Sequence, residues 1–306
     1  MDFAVSVMVG IMVASTPLVF AAIGELVAEK SGVLNLGVEG MMIVGAMAGF
    51  AVTLDSGSYL LGIAAAAGAG ALMGGLFAVL TQLLLSNQVA TGLALTLFGL
   101  GLSALLGQAY SGHSAGPVPR LDLPVVSELP LLGPLVFSHD PMIYLSVALV
   151  AAVSLFLTRT RAGLIVRAVG ENHDAAHAIG YNVAAIRTLA ILFGGACAGL
   201  GGAYLSIVQT PLWVEDMTAG RGWIALALVV FAAWRPWRSM IGAYLFGGIT
   251  IAQLHAQGFG VKVEPQYLSM LPYVATIAVL VAISRDKMRV RLSAPACLGK
   301  VFHASA

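Results

Sequence analysis

"SGVLNLGVEG", residues 31–40, lies between two apolar runs that are each long enough to cross a bilayer. Asn35 and Glu39 stand four residues apart, fenced by Gly32, Gly37 and Gly40. On a helix the two polar side chains share one face, and Leu34, Leu36, Val38 and Met41 cover the others. An ionisable group at membrane depth costs ~3 kcal/mol or more at a helix centre, so it normally faces a cavity or a partner. Neighbouring glycines let the backbone unwind and present helix-end dipoles to a solute. Two roles therefore fit Glu39. It is either a structural carboxylate near the cytoplasmic interface, paired with Lys30 or a backbone donor, or it lines a solute pathway together with Asn35.

The rest of the chain sets the context for this stretch. Of 306 residues, 59% are hydrophobic and 9% charged, against roughly 25% charged in an average soluble domain. That composition predicts an integral membrane protein in contact with lipid. The net charge of +1 gives no reason to expect a nucleic-acid partner. Cys197 and Cys297 lie too far apart in sequence to suggest a ligand cluster or a disulfide framework. The first apolar run is longer than a signal-peptide core and has no Lys or Arg before it, so it reads as an uncleaved span.

A bilayer core of ~30 Å needs ~20 apolar residues in helix. Nine candidates meet that rule: 3–24, 33–54, 58–85, 89–110, 142–158, 186–209, 217–234, 239–257 and 267–284. Runs of this length without period-2 alternation predict helices, hence an all-α polytopic protein with one transmembrane domain over residues 1–306. Placing the link between the fifth and sixth spans in the cytoplasm puts twelve of the fifteen Lys and Arg residues there. Only Arg120, Arg221 and Lys262 remain outside. The expected topology has the N-terminus outside, the C-terminus in the cytoplasm, and 111–140, with five of the twelve prolines, as an external loop.

Small residues recur as "GAMAG" (45–49), "GAGALMGG" (68–75) and "GGACAGLGG" (194–202), a spacing that lets helix backbones approach closely. Spans one to four and six to nine overlay as two sets of four about a connector and run in opposite directions. This is an inverted four-plus-four repeat. The seventh span, matched to the second, opens with "MTAGRGW" (217–223), which is also polar and broken by glycine. Arg221 and Trp223 in that opening are either pathway residues or interfacial anchors.

The cytoplasmic link, 159–187, contains "ENHDAAHAI" (171–179), a short amphipathic segment closed by Gly180 as a helix stop. Its pattern suits a docking helix for a cytoplasmic partner, with Glu171, Asn172, Asp174, Ala175, Ala176 and Gly180 as the coupling residues. His173 and His177 are four apart, yet "HDAAH" lacks the glutamate of a zinc protease and no further ligand is close, so no metal site is expected. The spans contain no nucleophile beside a base and the chain has no G-x-x-x-x-G-K-[ST] phosphate loop, so no catalytic residue and no bound cofactor are expected. A self-sufficient carrier driven by H⁺ or Na⁺, with Glu39 as the ion site, would not need the docking segment.

Three stretches carry a family resemblance: "SGVLNLGVEGMMIVGA" (31–46), "GENHDAAHAIGYNV" (170–183) and "TAGRGWIALALVVF" (218–231). Together they resemble permease subunits of bacterial ATP-binding-cassette importers, in the family of ribose-type and branched-chain amino-acid permeases. "GELVAEKSGVLNLGVEGMM" (24–42) is most similar to the nucleoside-type branch. The resemblance implies a subunit of the bacterial inner membrane that forms half of a pathway for a small polar solute. A nucleoside is the first expectation, and a simple sugar or branched-chain amino acid is the alternative. It further implies a separate ATPase chain that uses the ATP, a second and different permease chain, and an extracytoplasmic solute-binding protein.

Overall fold

A computed structural model of the chain describes residues 3–119, 137, 139–258 and 293–303, with positions 267, 270, 271, 273–275, 277, 278 and 281. The first apolar run forms α1 (Phe3–Lys30), a helix of 28 residues with Pro17 inside it. At 1.5 Å per residue it is ~42 Å long, more than a bilayer core requires. From Ser15 to Glu29 it is buried on every side, so α1 is the axis of the bundle. The helix outruns the expected 3–24 span by six residues, and the extra turns carry Glu25 and Glu29 into the interior.

Around α1 stand α2 (Val38–Ser56), α3 (Tyr59–Ala78), α4 (Gln88–Gly107), α5 (Pro141–Arg159), α6 (Arg161–Glu171), α7 (His173–Ala178), α8 (Val183–Ala203), α9 (Arg221–Phe231) and α10 (Pro236–Gly258). Wider π-helical turns extend α3 through Leu83 and α8 through Gln209. Among the described residues, six helices are long and apolar enough to cross a membrane: α1, α2, α3, α4, α5 and α8 with their extensions. Large apolar side chains such as Leu72, Leu97 and Leu105 face outward from α3 and α4, as expected for surfaces solvated by lipid rather than water.

Close approach of α2, α3 and α8 depends on the small residues. A Cβ on Gly45 or Gly70 would overlap the backbone of α8 at Gly199 or Gly195. Dispersion between closely packed backbones holds membrane bundles together in the absence of a hydrophobic driving force. Helix starts are capped by side chains. Asn87 Oδ1 accepts from Ala90 N at 3.0 Å, and Asp140 Oδ1 accepts from Met142 N and Ile143 N at 3.0 and 3.2 Å ahead of Pro141.

Two expected spans are corrected by the structure. Residues 31–37 are not helical, because Gly32 takes φ +91° and Asn35 closes a side-chain turn onto Gly37 N. Asn35 and Glu39 therefore do not share a helix face. The 217–234 run yields only α9, 11 residues and ~16 Å long. Positive φ at Asp216, Ala219 and Gly220 before it, and at Ala233 and Trp234 after it, confines the helix at both ends. The 239–257 candidate falls within α10. Candidate 267–284, apart from isolated positions, and residues 120–136 of the expected external loop lie outside the described residues.

Candidate functional site

Glu39 is the second residue of α2, 4% exposed, and its carboxylate points at the start of α9. Oε1 accepts from Thr218 Oγ1 at 2.5 Å and from Gly220 N at 2.8 Å; Oε2 accepts from Gly222 N at 2.6 Å. The first turn of any helix leaves four N–H groups without partners. α9 has no side-chain cap of its own, since Gly220 stands at that position with φ +80°. Glu39 supplies the missing acceptor from the other half of the chain, and its negative charge lies on the positive end of the helix dipole. Space for this contact comes from Gly222, where a Cβ would sit 2.6 Å from the Cα of Glu39.

Side chains from three parts of the chain supply acceptors to the irregular stretch beneath Glu39, as broken backbone at membrane depth requires. Leu34 N donates to Gln88 Oε1 at 2.8 Å, Asn35 N to Glu25 Oε1 at 3.2 Å, and Gly37 N to Asn35 Oδ1 at 2.9 Å. Thr96 Oγ1 donates to Leu36 O at 3.0 Å. Just past the other end of α9, Trp234 Nε1 donates to Glu29 Oε2 at 2.5 Å. The short helix is thus fastened to α2 by one buried glutamate and to α1 by another.

A family model described as "Branched-chain amino acid transport system / permease component" matches residues 7–280. The chain belongs to this permease family. The permease is 41% identical over 321 residues to a putative glucose ABC transporter permease protein of Haloferax volcanii, with 97% of each chain covered. It is 32% identical to a nucleoside ABC transporter permease protein of Lactococcus lactis, with 90% of each covered. It is also 30% identical to a guanosine ABC transporter permease protein of Bacillus subtilis, covering 88% of this chain and 89% of that one. No solved structure matches it. Permeases of this family are multi-pass membrane subunits that work with an ATPase and a solute-binding protein, and they are not themselves enzymes.

The residues expected from the sequence to line a pathway fall in two environments in the permease. Asn35 is wholly buried, and its Nδ2 contacts Met41 Sδ at 3.4 Å. Both oxygens of Glu39 are occupied by donors from the Thr218–Gly222 turn. Arg221 folds back over its own turn, donating to Met217 O at 2.9 Å and Thr218 O at 3.3 Å. Trp223, one residue further along α9 than Gly222, is 52% exposed. A cavity of about 710 Å³ between α5, α6 and α8 is lined almost throughout by apolar side chains and includes none of these residues.

In the link between α5 and α8, Glu171, Asn172, Asp174, Ala175 and Gly180 are exposed, and so is Ile179 at 74%. Asn172 Oδ1 caps α7 by accepting from Ala175 N at 2.9 Å, and Gly180, at φ +94°, ends it. Ala176 is different: at 3% exposure it packs inward with Val169 and Val183, against Ile165, Ile186 and Phe302. It holds α7 to the permease and leaves the outer face to Ala175 and its exposed neighbours.

Three groups escape a reading of the sequence. Glu25 and Glu29 stand one helical turn apart in α1, but the expected span stops before them. Arg187, wholly buried, ties the end of the link to the rest: Nε donates to Ser31 O at 3.2 Å, NH1 to Lys300 O at 3.0 Å, and NH2 lies 3.0 Å from His173 Nδ1. Because guanidinium only donates, His173 Nδ1 is the acceptor, which makes the ring neutral with its proton on Nε2. The C-terminal stretch closes over this hub through Cys297 N to Gly170 O at 2.9 Å and Gly299 N to Gly32 O at 3.1 Å.

Burial first, and the Arg187 charge second, hold the His173 pKa below its ordinary value. The unfolded chain, with an ordinary histidine near ~6.5, then binds the proton more readily than the folded one. The His173 contribution is therefore complete above that pH and is lost as pH falls below it. The protection of the Gly299 and Lys300 amides against hydrogen exchange, taken relative to the intrinsic exchange rate at each pH, is expected to fall between pH 7.5 and 5.5. His173→Gln, which keeps an acceptor but cannot titrate, is expected to flatten that dependence.

Proposed function

We propose that the permease forms half of the translocation pathway of an ATP-driven importer, with α9 as the short helix whose start faces the solute route. The observation that carries this reading is the Glu39 carboxylate on the α9 N-terminus, which joins the two glycine-broken openings across the chain. Broken helices meeting at one point are how inverted-repeat transporters build a site at midplane. The meeting of these two breaks supports nine spans in an inverted four-plus-four arrangement. The distribution of Lys and Arg supports an N-terminus outside and a C-terminus in the cytoplasm of the inner membrane.

On this reading Asn35 and Glu39 form the frame behind the pathway, and Trp223, with Arg221 beside it, stands nearest the solute. Trp223→Cys is expected to react with a small water-soluble thiol reagent, while Asn35→Cys stays protected in the resting state. Equal labelling of the two would remove this assignment.

The proposed solute is a neutral, hydroxyl-rich molecule, a nucleoside in the first instance. Trp223 would stack on the flat base, and polar groups would take the ribose hydroxyls. The likeness to nucleoside and guanosine permeases supports it. A second reading, glucose, is favoured by the 41% identical relative. ATP would be used by the separate ATPase, docked on the outer face of α7, with a second permease chain completing the pathway. ATP-dependent uptake by the assembled complex in proteoliposomes separates the readings. Accumulation of labelled guanosine or adenosine is expected; glucose alone would select the second reading, and leucine alone would contradict both.

A further inference from the structure

A second cavity, polar where the first is apolar and of about 430 Å³, opens beside the C-terminal ends of α1 and α6 and the turn after α9. That volume is within the ~300–1,000 Å³ of ordinary small-molecule sites. Among the described residues, three cations line it, Lys30, Arg167 and Arg235, against one carboxylate, Glu171. Among the described residues, no carboxylate lies within 4.0 Å of any of the three. Lys30 instead donates to Ser293 O at 3.0 Å and lies 5.9 Å from the centre of the Trp234 ring. Arg167 Nε is buried with no hydrogen-bond partner among the described residues.

Like charges gathered on one cavity repel one another, and a buried donor without an acceptor is costly. Both terms are relieved by the same occupant: an anion with several acceptor oxygens. Among the described lining residues, three cations less one carboxylate leave a charge of +2, which matches a phosphate monoester of about −1.5 to −2 at neutral pH. A planar guanidinium also meets phosphate oxygens two at a time. We propose that this cavity binds a phosphate monoester group, distinct from the solute pathway and independent of which solute the permease carries.

The group could belong to a soluble sugar phosphate or to a lipid headgroup, and the test separates the two sources. Full-length permease is placed in nanodiscs of phosphatidylcholine. Binding is followed by Trp fluorescence and thermal melting with glucose 6-phosphate, with glucose as control. A parallel series adds phosphatidic acid to the discs and detects retained lipid by native mass spectrometry. Saturable binding of glucose 6-phosphate but not glucose assigns a soluble monoester, and selective retention of phosphatidic acid alone assigns a lipid. In either case Arg167→Gln is expected to weaken binding about tenfold. Arg235→Gln, at an exposed position where folding is not at stake, is expected to weaken it by about threefold or more. No binding in either series, or binding that both variants leave unchanged, overturns the proposal.

Discussion

Glu39→Ala is expected to abolish ATP-dependent uptake and to destabilise the permease by about 3 kcal/mol or more. The substitution strands Thr218 Oγ1, Gly220 N and Gly222 N together, and each buried donor left without an acceptor costs ~1–3 kcal/mol. The neutral isostere is informative as well. In Glu39→Gln one oxygen becomes an amide NH₂, so a donor faces a donor at either Gly222 or the Thr218–Gly220 pair. Glu39→Gln is therefore expected to behave closer to Glu39→Ala than to wild type. Uptake in proteoliposomes and melting in detergent check both variants. Wild-type uptake by Glu39→Gln would show that the charge on the α9 start is dispensable.

The second large effect is a split between neighbours. Ala175→Trp places bulk on the exposed face of α7, and Ala176→Trp forces it into the cluster of Val169, Val183 and Phe302. Ala175→Trp is expected to leave folding intact while abolishing solute-stimulated ATP hydrolysis, because a docking helix transmits motion only when it seats. Ala176→Trp is expected to cost ~1–3 kcal/mol through overpacking, and its loss of transport should follow loss of folded protein. ATPase stimulation in the assembled complex, read beside the amount of folded permease, distinguishes the two. Normal stimulation by Ala175→Trp would remove the docking assignment.

Much of the architecture is legible in composition alone, because apolar runs of ~20 residues have few alternatives to a membrane helix. The small-residue patterns around Gly45, Gly70 and Gly199 are legible for a similar reason: only residues without bulk let those backbones touch. The two openings, 31–40 and 217–223, stand out as polar and glycine-rich, and the structure brings them together at Glu39. What they do to each other is not visible in sequence. The donors to Glu39 lie 179 to 183 residues away, and helical periodicity carries no information about partners at that distance. Periodicity also misplaces Asn35, because leucines at helical spacing look the same whether Gly32 continues the helix or turns out of it. Glu25 and Glu29 are missed because a hydropathy window ends at the first charge, whereas tertiary donors from Asn35 and Trp234 let α1 continue through both. Arg187 reads as one more cytoplasmic cation until the C-terminal stretch is seen to cover it.

The joint between the two halves of the chain is tested most directly by a double-mutant cycle on Glu39→Ala and Thr218→Val, measured by reversible unfolding in mixed micelles. The two residues share a 2.5 Å hydrogen bond across 179 positions of sequence, and a bond to a charged acceptor contributes ~1.5–3 kcal/mol. The predicted result is strong non-additivity, with a coupling of at least ~1.5 kcal/mol, and uptake lost in both single variants. Losses that add to within ~0.5 kcal/mol, the behaviour of independent sites, would contradict the joint and with it the assignment of α9 as a helix held in place by Glu39.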